Sequence, residues 1–393
     1  MKKLHIWFIM VSLFLFVTSS VAFYLEHNRE WKQYQRKFRQ IEYDKTKGDY
    51  ERALKSFAEK GDNARCKALA DEIKNLKDPS LIKTKKREIA KIRNSYRLDW
   101  YEGRLPRIQP GLLDTLRNFI FVDFLHPTNR IHQVYLPGLG DRVDRCTTCH
   151  MAIDRPGFEE INLPDVKKVP RLGFKNKGLP FTTHSNFELI IKDHPPEKFG
   201  CIICHQGQGR ATDNKAARGE VPHFPEPILP AKYIESSCGK CHLGLDELKG
   251  APRLSKAREL FKKYNCFDCH AIDREDLKAL ATGKTGPPLT YIGSKRIEDL
   301  NWGTVTNIPK TKWDWHFAHL KNPKLFAPDT QMPAIDLTDE EAEALTNFIL
   351  GFVDEKIDHD YLVQPKIEGG EQGITPESLK KEEEKLDTAL EEL

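Results

Sequence analysis

Four copies of C-x-x-C-H constrain this chain more than anything else in it: C-T-T-C-H from Cys146 to His150, C-I-I-C-H from Cys201 to His205, C-G-K-C-H from Cys238 to His242, and C-F-D-C-H from Cys266 to His270. This is the spacing of covalent c-type haem attachment. Two thiols reach the two vinyl groups on one edge of a porphyrin, and the next residue turns its imidazole onto the iron from the same helical turn. The copies take eight of the nine cysteines, Cys146, Cys149, Cys201, Cys204, Cys238, Cys241, Cys266 and Cys269. They predict four covalently attached haem c groups, with His150, His205, His242 and His270 as axial ligands. Structural zinc needs four ligands but no histidine directly after each pair, and a disulfide framework suits a shorter secreted domain that lacks a core. Cys66, the ninth, sits in the charged stretch A-R-C-K-A-L-A-D-E and reads as a buried or idle thiol.

At 393 residues the chain has room for two or three domains. With 31% charged and 39% hydrophobic residues its body is that of a soluble protein, and a net charge of +4 gives no nucleic-acid signature. The N-terminus is different. Lys2 and Lys3 precede an uncharged apolar run from about Ile6 to Leu25, close to the ~20 residues a membrane-spanning helix needs. We take it as an uncleaved anchor. The alternative is a secretory signal cleaved after Ser20-Val21-Ala22. The basic residues Arg29, Lys32, Arg36, Lys37 and Arg39 would place the body in the cytoplasm by the positive-inside rule. Haem is joined to C-x-x-C-H outside the bacterial cytoplasmic membrane, however, and four motifs outweigh that local bias. The expected location is the periplasmic side of the membrane.

The texture of the chain predicts a mainly α fold with much irregular, haem-wrapping loop. Residues 1–25 form the membrane helix and 26–99 a helical, coiled-coil-like stalk. Its signals are Trp31, Tyr34, Phe38 and Ile41 at 3-4-3 spacing, then Leu69, Ile73 and Leu76, a break at Pro79, and a run carrying Ile89 and Ile92. A trihaem segment covers 100–250, with strands expected between Leu116 and Pro137, and from Cys146 to His242 there is little room for long elements. A haem domain covers 251–354 and a charged tail 355–393, either a partner-binding helix or a solvated end.

Each haem needs a second axial ligand. Three histidines of the trihaem block lie outside its motifs, His184, His194 and His223, and three haems need them. Their pairing is not legible, and His126 and His132 stand in reserve. Met151, next to His150, points away from that iron and reads as packing.

The fourth motif follows a helix-like run, Ser255 to Asn265. After it come G-P-P-L at Gly286 to Leu289, W-D-W-H-F-A-H-L-K-N-P, Q-M-P at Gln331 to Pro333, and a final helix. Thr338 and Glu341 make a capping box there, and Leu345, Phe348, Ile349 and Phe352 form one apolar face. This order resembles the class I (mitochondrial-type) cytochrome c domain over about Ala251 to Val353. The resemblance implies His270 and Met332 as the iron ligands and a backbone carbonyl of Pro287 or Pro288 on the proximal imidazole. His316 and His319 are the rival ligands, although partial burial against the core beside Trp313 and Trp315 is the expected place for both. Upstream, V-D-R-C-T-T-C-H-M-A-I-D-R-P-G-F-E, with D-F-L-H-P-T before it and H-P-P-E-K-F-G-C-I-I-C-H-Q-G-Q-G-R-A-T after it, is similar to bacterial multihaem cytochromes c that fuse a trihaem segment to a monohaem domain. That likeness spans about Asp114 to Val353. It implies electron transfer at a membrane, with a quinol-oxidising Rieske/cytochrome b-type complex as donor and a soluble cytochrome or terminal oxidase as acceptor.

The expected role is an electron carrier rather than a catalyst, with three mainly bis-His haems at low potential and a His/Met haem at higher potential. A multihaem oxyanion reductase or peroxidase would need one open iron with acid/base groups beside it, and the number of spare histidines allows every iron two ligands. A structural subunit whose stalk and tail mainly hold a complex together is the third possibility.

Overall fold

The computed structural model describes residues 2–108, 129–159, 180–222, 224, 226–244 and 247–363. They divide into two compact units. One is built from the residues up to 131 with 148–151 and 180–181, the other from 132–147, 152–159 and the residues from 182 onward. His126, His223 and the tail beyond Val363 lie outside the described residues.

In the first unit, α1 (Lys2–His27) is apolar on every side and none of its apolar window is buried. By length and composition it is able to cross a membrane. Then come α2 (Glu30–Glu59), α3 (Asp62–Asn75), α4 (Pro79–Ser95) and α5 (Leu98–Ile108). The predicted stripe of α2 is real: Trp31, Tyr34, Phe38 and Ile41 are all buried. The expected hairpin or coiled-coil stalk is instead four helices folded on one another, α2 against α5 and α3 against α4. Local chemistry explains the turns. Gly61 (φ 75°) takes the left-handed conformation between α2 and α3. Asp78 caps α4, its side chain accepting from the Ser80 N–H with Pro79 at the first position. Phe57, Cys66 and Leu98 form a small core with Tyr50, Ile89, Ile92 and Tyr96 around it, so Cys66 is a packed thiol.

The second unit opens with an antiparallel hairpin, β1 (Val134–Leu136) and β2 (Arg142–Asp144), in the register Val134 to Asp144. From there to residue 240 the described residues form short elements, among them one-turn helices, a π-turn at Phe187–Ile191 and a 3₁₀ run at Ala231–Lys240. Long helices return with α6 (Pro252–Lys263), α7 (Lys312–Lys321) and α8 (Asp339–Leu350). The capping box forms as expected, with Thr338 and Glu341 exchanging bonds. Leu254, Ala257, Leu260 and Phe261 of α6 meet Leu345, Phe348 and Ile349 of α8 in the largest apolar core of the described residues. Edge-to-face rings lock it, Phe261 on Phe267 at 4.8 Å and on Phe348 at 5.2 Å.

Candidate functional site

Asp144 ends β2, is 2% exposed, and has a carboxylate that serves two motifs at once. The Cys146 N–H donates to Oδ1 (2.8 Å), and the Cys201 and Ile202 N–H groups donate to Oδ2 (2.6 and 2.9 Å). One buried charge thus caps the opening turns of the first and second motifs, which lie 55 residues apart in sequence (201 − 146). The ligand atoms of Asp144, Cys146 and Cys201 lie within 4.8 Å of one another. Hydrogen bonding to Cys201, then burial, hold the Cys146 thiol well above its usual range. Gly200 (φ 63°) lets this approach happen, since a Cβ there would meet Leu136 and Asp144 at 2.7 and 3.0 Å. The unit boundary falls within the first motif, with Cys146 in the second unit and Cys149 and His150 in the first. Inside the first unit, buried Gln35 of α2 donates to the carbonyls of Thr148 (2.9 Å) and Arg130 (2.6 Å).

The second and third motifs are also joined. Ser237 Oγ donates to the Cys204 carbonyl (2.7 Å) and the Leu229 N–H to the His205 carbonyl (2.9 Å). Toward the C-terminus, Glu235 caps α6 from a distance by accepting from the Arg253 and Leu254 N–H groups and the Arg253 guanidinium. Asn347 of α8 receives the Ser236 N–H and donates to the Lys232 carbonyl. Lys240, inside the third motif, has a buried ammonium 3.0 Å from Glu355, which also pairs with Arg142 at 3.0 Å. Burial alone would raise the Glu355 carboxyl, but Lys240 and Arg142 bring it below the ordinary carboxylate range. Residues just past α8 run back along this motif, Val363 exchanging backbone bonds with Cys241 and Leu243.

In the fourth motif the His270 Nδ1 faces the Pro287 carbonyl at 2.7 Å. With the proton donated there, Nε2 carries the free lone pair that a metal takes. Of the two expected carbonyls the structure selects Pro287. Gly286 is obligatory, because a Cβ there would sit 2.5 Å from the His270 ring. His316 is 2% exposed, its Nε2 has no hydrogen-bond partner among the described residues, and burial pushes its pKa down to about 3. His319 stacks on Trp315 at 4.7 Å, with Nδ1 buried and without a hydrogen-bond partner among the described residues. Burial, then the nearby His270, push it down to about 4. Met332 is half-buried on the loop before α8, its N–H on Thr330 Oγ1.

Two of the spare histidines, His184 and His194, fall on one segment. His184 stands beside His205 with ring centres 6.2 Å apart, and His194 beside His242 at 6.0 Å. Burial lowers the pKa of His184, and burial followed by the neighbouring imidazole lowers His205 and His242. Three of these four rings are therefore held in the neutral form that binds metals. The His194 Nδ1 is on the Ile190 carbonyl at 3.0 Å. His132 and Met151 are half-buried.

Residues 254–352 match the cytochrome c family model. No curated protein and no solved structure matches the chain. This C-terminal part is a cytochrome c domain, a domain that binds haem c covalently and works by haem-based electron transfer. The residues present fit that group: free thiols on one turn, a proximal imidazole with its Nδ1 fixed, and a glycine where the ring needs room. The cysteines of the other three motifs are likewise outside any disulfide, and among the described residues the buried His242 Nδ1 has no hydrogen-bond partner. Burial raises Cys204 to about 12 and Cys238, Cys241 and Cys266 to about 11, so these are thiols. Among the described residues no four-ligand cage of thiols and imidazoles suits zinc, the one cluster found being Asp144, Cys146 and Cys201. Reasoning from sequence missed Asp144, Gln35, Glu235 and Asn347. Only Asp144 had a local sign, an acid two residues before the first cysteine of a motif.

Proposed function

We propose that the chain is a membrane-anchored periplasmic tetrahaem c-type cytochrome that relays electrons. It takes them from a quinol-oxidising membrane complex of the Rieske/cytochrome b type and passes them to a soluble cytochrome or a terminal oxidase. The contiguity of the motifs carries this reading. Cys146 lies against Cys201, the Cys204 carbonyl takes a bond from Ser237 one residue before Cys238, and the Gly239 carbonyl takes one from Arg274 just after the fourth motif. Groups attached to such neighbours would follow one another in series.

Covalent haem supplies reversible one-electron chemistry at its iron. The chain's own residues hold and insulate it. The thiol pairs fix each edge, and His205, His242 and His270 present imidazoles from rigid turns. Pro287 and Ile190 hold His270 and His194 in the tautomer that leaves Nε2 available. Lys240, Arg142 and Glu355 place paired charge beside the third motif, where it sets the local field. His270 with Met332 gives the site of higher potential, since a thioether favours the reduced metal. α1 supplies the anchor.

A redox titration followed by electron paramagnetic resonance tests this on the purified full-length protein. The relay requires every ferric iron to be low-spin, with the His270 site at the highest potential. A stoichiometric high-spin signal that shifts with nitrite, sulfite or peroxide would mean an open iron and an enzyme in place of a carrier.

A further inference from the structure

Two imidazoles bound to one metal from opposite sides, each at a metal–nitrogen distance of about 2.0 Å, have ring centres roughly 6.3 Å apart. The separations in this structure are 6.2 Å for His184 and His205 and 6.0 Å for His194 and His242. Binding from opposite sides fixes that distance but leaves each ring free to turn about the metal–nitrogen axis, so the interplanar angles of 66° and 61° are admissible. One ring of each pair already stands at the end of a turn that carries two haem-type thiols. The bonds the other rings make run elsewhere, His194 Nδ1 to the Ile190 carbonyl and the Asn186 N–H to His184 Nδ1.

We infer that His184 is the second axial ligand of the iron held by His205, and His194 that of the iron held by His242, so that the single segment 184–194 clamps two haems. The inference rests on the multihaem reading above. The segment is built to hold a fixed span. The His184 N–H is on the Ile153 carbonyl (3.0 Å), Thr183 donates to the Arg155 carbonyl, and His194 packs edge-on against Phe199 at 4.9 Å. Between the two histidines lies the π-turn Phe187–Ile191, closed by the Lys192 N–H on the Phe187 carbonyl. Such turns set the angle between side chains that an α-turn would place differently. At His184 the Asn186 contact opens when Nε2 takes the metal, because a neutral ring that accepts at Nδ1 carries its proton on Nε2.

The test is paramagnetic resonance on full-length holoprotein carrying His184→Ala, His194→Ala or both, with haem content measured in the same samples. Rings inclined by more than 60° give strongly anisotropic low-spin ferric signals, and two are expected in the unmodified protein. His184→Ala should turn one of them high-spin, His194→Ala the other, and the double variant both, at unchanged haem content, with added imidazole restoring the low-spin state. Loss of the same signal in both single variants, or an unchanged low-spin spectrum at full haem content in either, overturns the pairing. Where the alanine variants do not accumulate, the unmodified protein decides: spectra with no strongly anisotropic signal contradict the inclined pairs. An unmodified protein with haem on the fourth motif alone would instead defeat the multihaem reading itself.

Discussion

The chain between β2 and Lys240 and the cytochrome c domain at 254–352 solve the same problem in opposite ways. The C-terminal domain buries Phe261, Leu345, Phe348 and Phe352 between long helices, so it has an extended side-chain core. The middle segment has short turns, facing imidazole pairs and a buried carboxylate that caps two motifs. Where the apolar clusters are as small as those around Ile203 and Tyr233, charge-assisted hydrogen bonds take a larger share in fixing the backbone.

The largest expected difference appears when haem is withheld. In full-length protein made without haem attachment, limited proteolysis should cut first within 145–244 and last within α6 and α8. Uniform cutting would erase the contrast. Next, Phe348→Ala should lower the stability of the C-terminal domain by about 3–5 kcal/mol, read from hydrogen exchange in α8 of the full chain, while amides at Cys201 and Ile202 keep their protection. Asp144→Asn does the reverse. It removes the charge that accepts three N–H bonds and should cost about 2–3 kcal/mol, exposing those amides and leaving α8 unchanged.

These expectations also show what the sequence disclosed. The Thr338/Glu341 box and the face of Leu345, Phe348, Ile349 and Phe352 are patterns within a few residues, and both took their expected form. Pairings across long separations did not announce themselves. Asp144 reaches Cys201, and Asn347 reaches Ser236 over a separation of 111. Counting spare histidines named His184, His194 and His223 without saying which rings each stands beside, because that is set by how loops fold and not by spacing. The α2 stripe was visible, but four folded helices in place of a hairpin depended on turns at Gly61 and Pro79 whose packing the stripe does not encode.

Two smaller effects sharpen the contrast within the C-terminal domain. His316 has an unfolded pKa near 6.5 and a folded one pushed down to about 3 by burial. Between those values the unfolded chain binds the extra proton. Stability is therefore flat above pH 6.5 and falls as pH drops below it, by about 1.4 kcal/mol at pH 5.5. His319, pushed down to about 4, adds a comparable fall, so hydrogen exchange in α7 and α8 across pH should show both contributions and His316→Gln should remove about half of the slope. Thr338→Ala, which removes one half of the capping box, should cost about 1 kcal/mol, seen as fraying of the first turn of α8 only.

The most direct test of the central claim is the intact mass of the purified full-length protein, read as the number of covalently attached haems. Four per chain is the expected result, one on each of the Cys146, Cys201, Cys238 and Cys266 motifs. A single haem, carried by Cys266 and Cys269, would contradict the relay and leave a monohaem cytochrome c domain on an unrelated body.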